Sequence, residues 1–215
     1  INRNTLIALI SAVILKEHPG STVVTDSVTS DGLTDFIREH GGKHHRFRRG
    51  YKNVINEGIR LNNAGEECWL AIETSGHAAL RENYFLDDGA YLAAKLIIDA
   101  AKLNKRGKQL QDLIATLKQP KESKEIRIKL TQPDFKAQGA KVLEDMKAKF
   151  AAVPGWTLVE PNYEGIRVSC RNADEEGWLL LRMSLHDPVM PLNIESNVDG
   201  GVEVIENKLK ELGLL

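Results

Sequence analysis

The first half of the chain alternates short apolar runs with longer segments that have helical periodicity. The apolar runs are short enough to be buried strands, and strands are predicted at 22–25, 43–47 and 68–72. Helices are predicted at about 4–16, from Ser30 or Asp31 onward, and at about 53–61 and 88–103. This alternation predicts an α/β layer sandwich with a mixed, largely parallel sheet over residues 1–118.

The second half has a different pattern, which begins after a polar stretch. Proline among charges and serine at 118–124 is typical of an exposed linker, which we place at 119–125. Strands are then predicted at 126–130, 156–159, 165–169, 177–181 and 192–195, and helices at about 133–150 and 202–212. Short strands joined by turns and covered by two helices predict a smaller antiparallel α+β domain over 126–215.

Composition narrows the classes of partner. The 215 residues suffice for one large domain or two small ones. The net charge of -1 attracts neither nucleic acid nor an anionic membrane, so we expect neither as a partner. The apolar run at 6–15 is too short to span a bilayer and predicts a core helix. Because the first residue is Ile1 and not methionine, we expect a fragment or a processed product.

The two cysteines, Cys68 and Cys170, lie in apolar or strand-like contexts far apart in the sequence. We interpret both as reduced, buried thiols, which favours a cytoplasmic protein. A disulfide between them is the alternative.

Residues 73–77 have the sequence Glu-Thr-Ser-Gly-His and directly follow the predicted strand at 68–72. They deliver a carboxylate, two hydroxyls and an imidazole to one place, and open α/β sheets usually bind ligands where such strands end. Each sugar hydroxyl both donates and accepts, so this set of groups suits a polyol better than an apolar ligand. The sequence therefore predicts a polyol-binding loop, in which Gly76 permits a positive φ or a close approach of the ligand.

Two other pairs of residues raise the question of a metal site. Asp87 and Asp88 precede a predicted helix, where aspartate caps free N–H groups. A paired-carboxylate metal site is the alternative, and we favour capping. His44 and His45 lack the accompanying cysteine or carboxylate pattern of a metal site, so we predict no metal ligand in this chain.

The two halves together resemble the third and fourth domains of the α-D-phosphohexomutases, and the resemblance covers essentially the whole chain. Residues 73–77 resemble that family's sugar-recognition loop, Glu-x-Ser-Gly-His. Asp-Asp-Gly at 87–89 follows at the family's spacing, and Gly-Tyr-Lys at 50–52 resembles a substrate-binding segment. The resemblance implies that substrate is bound by Tyr51, Lys52, Glu73, Ser75 and His77.

Two of these positions have open roles. Tyr51 stands where many members of the family have histidine, so a role in proton transfer is not implied. His77 either touches the sugar or orients the loop through hydrogen bonds.

Residues 182–188 resemble the family's phosphate-binding loop, which is commonly Arg-x-Ser-Asn-Thr-x-Pro. Arg182, Ser184 and Pro188 match that pattern, whereas a leucine and His186 replace the usual polar pair. A guanidinium binds phosphate bidentately, and neighbouring N–H groups can complete the cradle. The resemblance implies that phosphate is bound by Arg182, Ser184 and His186.

The family's phosphorylated serine and its magnesium loop of alternating aspartates do not occur in the sequence. We therefore predict no catalytic residue in this chain and expect it to be inactive alone. The resemblance implies a complete enzyme that is a phosphoprotein, acts on a phosphosugar, and uses Mg²⁺ and a hexose 1,6-bisphosphate activator. It also implies N-terminal domains of the same enzyme as the partner of this chain.

The resemblance implies a phosphoglucomutase or phosphomannomutase, which interconverts hexose 1-phosphate and hexose 6-phosphate. A phosphoglucosamine mutase is the alternative within the family. Thr74 occupies a position where such specificities differ but does not decide between them. The alternative from another class is a non-catalytic module that binds sugar phosphates.

Overall fold

The computed structural model describes residues 3–215 of the chain. The chain forms two compact units, the first ending at Lys118 and the second spanning Gln119–Leu215. Each unit has its own hydrophobic core. None of the helices within 3–215 combines the length and the apolar character needed to cross a membrane.

The first unit is built on a four-stranded sheet. Its helices are α1 (Arg3–Glu17), α2 (Asp31–Glu39), α3 (Tyr51–Asn63) and α4 (Gly89–Asn104), and its strands are β1 (Thr22–Asp26), β2 (Lys43–Phe47), β3 (Cys68–Ile72) and β4 (Ala78–Leu80). The strand order is β2-β1-β3-β4, with β1 parallel to β2 and β3, and β4 antiparallel to β3. The predicted mixed, largely parallel sheet is confirmed. The sequence pattern does not predict β4, because three residues are too few to show an alternation.

Helices cover both faces of this sheet. Val23 and Leu70 join one core cluster with residues of α1, whereas Val24 and Ala71 join another with residues of α3. Successive residues of a strand point to opposite faces, so strands buried on both faces are continuous apolar runs. Helix α1 is buried without interruption from residue 7 to residue 15, which confirms that this apolar run forms a core helix.

The topology brings three loops to one edge of the sheet. Strands β1, β2 and β3 are parallel and therefore end at the same edge. The residues at these ends are Asp26 in β1, Arg49 and Gly50 after β2, and Glu73 after β3. The predicted polyol loop thus lies where open α/β sheets usually bind ligands.

The second unit is an antiparallel sheet with two helices. Its strands are β5 (Glu122–Lys129), β6 (Trp156–Leu158), β7 (Ile166–Cys170), β8 (Gly177–Leu181) and β9 (Val189–Ser196), and its helices are α5 (Phe135–Ala151) and α6 (Gly201–Glu211). The strand order is β5-β9-β8-β7-β6, and every pair is antiparallel. Both helices contribute to one core with the sheet, through Phe150, Leu179 and Ile205 among others. The predicted antiparallel α+β unit is confirmed.

The linker prediction is wrong for residues 122–125, which form the first half of β5. This strand lies at the edge of the sheet and exposes most of its side chains, so its charges resemble those of a linker. Glu122 also caps α6, because its carboxylate accepts hydrogen bonds from the N–H groups of Gly200 (2.7 Å) and Val202 (3.1 Å). Of the predicted linker, only residues 119–121 lie outside regular structure.

Both cysteines are free and buried, as the sequence predicts. Cys68 belongs to the first unit and Cys170 to the second. Burial raises the pKa of Cys68 to about 12, so its reactive thiolate form is scarce near neutral pH.

Candidate functional site

Glu73 directly follows β3, and only 8% of its side chain is exposed. Its Oε1 accepts a hydrogen bond from the N–H of Gly50 at 3.0 Å, and its Oε2 accepts one from the hydroxyl of Ser75 at 2.6 Å. The backbone N–H of Glu73 donates to the carbonyl of His77 at 2.9 Å, which closes the loop. Each carboxylate oxygen can accept two hydrogen bonds, so Glu73 is firmly held and still has acceptor capacity for a ligand.

A second carboxylate, at Asp26, holds the same loop from the end of β1. Its Oδ1 accepts a hydrogen bond from the N–H of Thr74 at 3.1 Å, and its Oδ2 accepts one from the Thr74 hydroxyl at 2.7 Å. Complete burial raises the pKa of Asp26 to about 6, although the Thr74 bonds and the charge of Arg49 act to lower it. Nε of Arg49 lies 3.4 Å from Asp26 Oδ2 and 3.9 Å from Glu73 Oε1. Arg49 therefore bridges two carboxylates that come from different strand ends.

His77 is oriented by a carboxylate and an aromatic ring. Its Nδ1 lies 2.6 Å from Oδ2 of Asp87, while Asp87 Oδ1 accepts a hydrogen bond from the N–H of Ala78 at 3.2 Å. The imidazole stacks on the ring of Tyr51, with centroids 4.8 Å apart. The side chain of His77 is half exposed. Lys52 is exposed in the first turn of α3, with Nζ 5.9 Å from the centroid of the Tyr51 ring.

The two aspartates before α4 have different roles. Asp88 caps α4, because it accepts hydrogen bonds from the N–H groups of Ala90 and Tyr91, both at 3.0 Å. The bond from Tyr91 is the main cause that lowers the pKa of Asp88. Capping is thus confirmed for Asp88, whereas it is wrong for Asp87, whose carboxylate binds His77 instead. Among residues 3–215, no three His, Cys, Asp or Glu side chains are grouped so that they could hold a metal ion.

Arg182 directly follows β8 in the second unit and is nearly buried. Its Nη1 donates to the carbonyl of Met183 at 3.3 Å and lies 3.8 Å from Oε1 of Glu164. The Glu164 side chain is only 10% exposed, so solvent screens this ion pair little. The guanidinium therefore has a carboxylate partner within its own unit.

The rest of the predicted phosphate loop is more open. The Oγ of Ser184 accepts hydrogen bonds from the N–H groups of His186 at 3.4 Å and Asp187 at 3.2 Å. This is a local turn of the kind that serine often forms. The side chain of His186 is exposed. The loop thus begins with a nearly buried arginine and carries its imidazole on the outside.

Three residues of these sites are not singled out by the sequence motifs. Asp26 could have been found, because it directly follows the strand predicted at 22–25, at the same sheet edge as Glu73. Arg49 precedes the Gly-Tyr-Lys segment, but only its contacts with both carboxylates reveal its position. No sequence signal pairs Glu164 with Arg182, because the two residues belong to different loops.

The fold and the polar sheet edge together define a class of protein. A doubly covered, largely parallel sheet with convergent polar side chains at its carboxyl edge is typical of α/β proteins that bind small polar ligands. The second unit adds an arginine-serine loop on an antiparallel sheet.

The family model "Phosphoglucomutase/phosphomannomutase, alpha/beta/alpha domain III" matches residues 2–120. This match covers more than half of the 215 residues. The chain belongs to the phosphoglucomutase/phosphomannomutase family, so the resemblance to the α-D-phosphohexomutases is confirmed.

Curated relatives agree with this assignment over nearly the whole chain. The chain is 30% identical over 204 residues to a phosphomannomutase/phosphoglucomutase of Pseudomonas syringae pv. tomato, which covers 94% of this chain and 39% of that protein. It is 28% identical over 198 residues to a phosphoglucomutase of Neisseria gonorrhoeae, which covers 92% of this chain and 39% of that protein. The chain therefore spans about two fifths of the length of these relatives.

Solved structures share the fold. A phosphoglucomutase/phosphomannomutase family protein from Burkholderia thailandensis matches with a TM-score of 0.75 at 24% identity, over 99% of this chain and 41% of that chain. The N-acetylphosphoglucosamine mutase of Aspergillus fumigatus matches with a TM-score of 0.52 at 11% identity, over 99% of this chain and 43% of that chain.

Proposed function

We propose that this chain supplies the sugar-recognition and phosphate-recognition parts of a phosphohexomutase that interconverts hexose 1-phosphate and hexose 6-phosphate of glucose, mannose or both. The observation that carries the proposal is the held carboxylate of Glu73 at the carboxyl edge of the sheet, within the stretch that the family model matches. The names of the curated relatives support the same activity. Whether the preferred substrate is glucose, mannose or glucosamine phosphate is decided by the binding experiment below.

In this proposal, Glu73 accepts hydrogen bonds from sugar hydroxyls. The bonds from Gly50 and Ser75 hold its carboxylate in place before the ligand arrives, which lowers the entropic cost of binding. Ser75 already donates its hydroxyl proton to Glu73, so it serves the ligand as an acceptor. A fixed pair of acceptors suits two vicinal hydroxyls better than it suits a single isolated hydroxyl.

The residues around His77 would line one side of the sugar. Because Asp87 engages Nδ1, the other ring nitrogen, Nε2, is the one available to a ligand. Tyr51 fixes the plane of this imidazole by stacking on it. Lys52 is exposed on the same helix turn as Tyr51, where its charge can attract an anionic substrate.

The loop at 182–188 would bind the phosphate that does not react. Arg182 supplies the guanidinium, while Ser184 and His186 supply a hydroxyl and an exposed imidazole. Glu164 holds the guanidinium in the absence of ligand, so phosphate must compete with this carboxylate or share the guanidinium with it.

In this proposal, no residue of this chain donates or accepts the phosphoryl group that is transferred. The family implies magnesium, but no cluster within 3–215 fits a metal ion, so we derive no step through it. What these residues contribute is positioning and charge neutralisation, which do most of the work in phosphoryl transfer. We propose that the complete enzyme carries the phosphoserine, uses a hexose 1,6-bisphosphate activator and is located in the cytoplasm.

The proposal is tested by NMR titration of the ¹⁵N-labelled 215-residue chain with glucose 6-phosphate, mannose 6-phosphate, glucosamine 6-phosphate and inorganic phosphate. Hexose phosphates should shift the amide signals of both 73–77 and 182–188, whereas inorganic phosphate should shift only the second group. The same chain should not turn over glucose 1-phosphate. Absence of any shift at 73–77 with all three sugars would refute the proposal, and turnover by the pure chain would refute its division of labour.

A further inference from the structure

We propose that Asp26 is a positioning residue for sugar recognition, which anchors Thr74 and, together with Arg49, sets the place of the Glu73 carboxylate. The inference rests on the proposed function, because it requires Glu73 to be the residue that binds sugar hydroxyls.

Asp26 directs its side-chain contacts to the loops at the edge of the sheet. Its carboxylate is completely buried, and a buried carboxylate is costly unless it is hydrogen-bonded and paired with an opposite charge. Its side-chain partners are the N–H and hydroxyl of Thr74 and the guanidinium of Arg49. All of these groups belong to the loops that carry Glu73 and Gly50, and none belongs to the apolar core.

Thr74, the residue that Asp26 holds, occupies the middle of the candidate ligand-binding loop. Thr74 lies between Glu73 and Ser75, the two residues whose side chains bond each other and are available to the ligand. Asp26 holds Thr74 by both its backbone and its side chain. Because the backbone and the side chain of Thr74 are both held, the orientations of Glu73 and Ser75 on either side of it are restricted as well. Asp26 and Thr74 thus lie 48 positions apart in sequence but in direct contact in space.

Asp26 and Glu73 share the guanidinium of Arg49. The charged groups that face Asp26 are Arg49 and Glu73. While Asp26 is ionised, Arg49 lies nearer to Asp26 than to Glu73, at 3.4 Å against 3.9 Å. When Asp26 takes up a proton, the guanidinium is left to Glu73 alone and competes with sugar hydroxyls for its oxygens. Sugar recognition should therefore change where Asp26 titrates, at a pH of about 6.

The test uses the 215-residue chain and the variant Asp26→Asn, which keeps the size of the side chain but removes its charge. Thr74→Val removes only the hydroxyl bond to Asp26 and serves as a milder second variant that retains the backbone anchor. Glu57→Gln is the matched control, because Glu57 is a buried carboxylate of the same unit that is held by Arg60 and His45, away from the loop. Dissociation constants for glucose 6-phosphate and mannose 6-phosphate are measured by NMR between pH 5 and 7.5.

Asp26→Asn should weaken binding of the preferred sugar phosphate about 10-fold at pH 7.5, which corresponds to the loss of one hydrogen bond to a charged group. Thr74→Val should weaken binding about 3-fold. The ratio of the two sugars' dissociation constants should change near pH 6 in the parent and stay flat in Asp26→Asn. Ionisation of the substrate phosphate is common to both sugars and cancels in this ratio. Glu57→Gln should behave as the parent does.

The outcomes separate the two proposals. If the parent binds no sugar phosphate, the proposed function fails and this inference fails with it. If the parent binds and Asp26→Asn keeps its affinity, its sugar preference and its pH dependence, the inference alone is overturned. If Asp26→Asn does not fold, Thr74→Val and the pH profile of the parent decide, and an unchanged ratio in both overturns the inference.

Discussion

Each of the two candidate loops carries a residue that protein groups hold in place, Glu73 through hydrogen bonds and Arg182 through an ion pair, but the loops obtain this support differently. The loop at 73–77 is held by Asp26 and Gly50, which lie in other strand ends far along the chain. The loop at 182–188 is held by Glu164 and by its own Ser184. One loop depends on the convergence of parallel strands, and the other depends on its neighbouring loop and on itself.

The difference follows from the topology of the two sheets. Parallel strands all end at one edge, so residues 48 positions apart can share hydrogen bonds there. Antiparallel strands are joined directly by turns, so a loop between β8 and β9 meets mainly the loops beside it. The first site should therefore depend on long-range partners, and the second on local backbone geometry.

The largest expected effect is on stability, and it appears when one glycine in each unit, Gly165 or Gly76, is replaced by alanine. A Cβ at Gly165 would lie 2.1 Å from the carbonyl oxygen of Leu181, and its φ is +59°. Gly76 has a φ of +102° but nothing within 4 Å of a Cβ. Gly165→Ala should therefore destabilise the second unit by roughly 3–5 kcal/mol, whereas Gly76→Ala should cost about 1–2 kcal/mol in the first. Native-state hydrogen exchange of each unit measures both values, and equal losses of stability would contradict the difference expected between the two glycines.

The next effect is the pH dependence that Asp26 gives to the stability of the first unit. Burial holds its pKa at about 6 in the folded protein, against an ordinary value of 3.8 for aspartate. The folded state thus binds more protons than the unfolded state between these values, so this group's contribution to stability grows as the pH falls from 7 towards 4. The difference between the parent and Asp26→Asn should change by about 3 kcal/mol at most over this window. Exchange rates of β1 amides measure it, and a pH-independent difference would show that burial does not raise the pKa of Asp26.

The functional contrast between the loops should appear in two substitutions within a complete enzyme that contains this chain. In the proposed assignment, Glu73 accepts hydrogen bonds from sugar hydroxyls, so Glu73→Ala should weaken activity and relax the discrimination between glucose and mannose phosphates. Arg182 is assigned to the phosphate, which is common to all substrates, so Arg182→Ala should affect every sugar equally. Each change should lower kcat/KM by roughly one to two decades. The two assignments are wrong if Arg182→Ala alters sugar preference while Glu73→Ala leaves it untouched.

The smallest expected effect concerns Glu164, the local partner in the second loop. Glu164→Gln removes a carboxylate 3.8 Å from Nη1 of Arg182, so inorganic phosphate should bind the 215-residue chain a few-fold more tightly. Glu160→Gln is the control, because Glu160 is an exposed glutamate of the same unit that pairs with Lys147. Weaker phosphate binding in Glu164→Gln would show that Glu164 orients the arginine and does not compete for it.

Much of the fold can be predicted from local pattern. The apolar runs locate β1 and β3, and the polar stretch near 119 divides the alternating half from the antiparallel half. Prediction is wrong where local pattern is ambiguous. The charged edge strand β5 resembles a linker at 122–125, and β4 is too short to show a period.

Periodicity and short motifs, which are properties of neighbouring residues, established the classes of the two units and the family, and they predicted the residues of the two candidate recognition loops. The groups that hold those residues were found only in the folded structure: Asp26 on Thr74, Arg49 between two carboxylates, and Glu164 on Arg182. These contacts join residues from separate elements, and their burial strengthens each of them by excluding water. No local pattern records such a contact, because it arises only when the strands converge and the core closes.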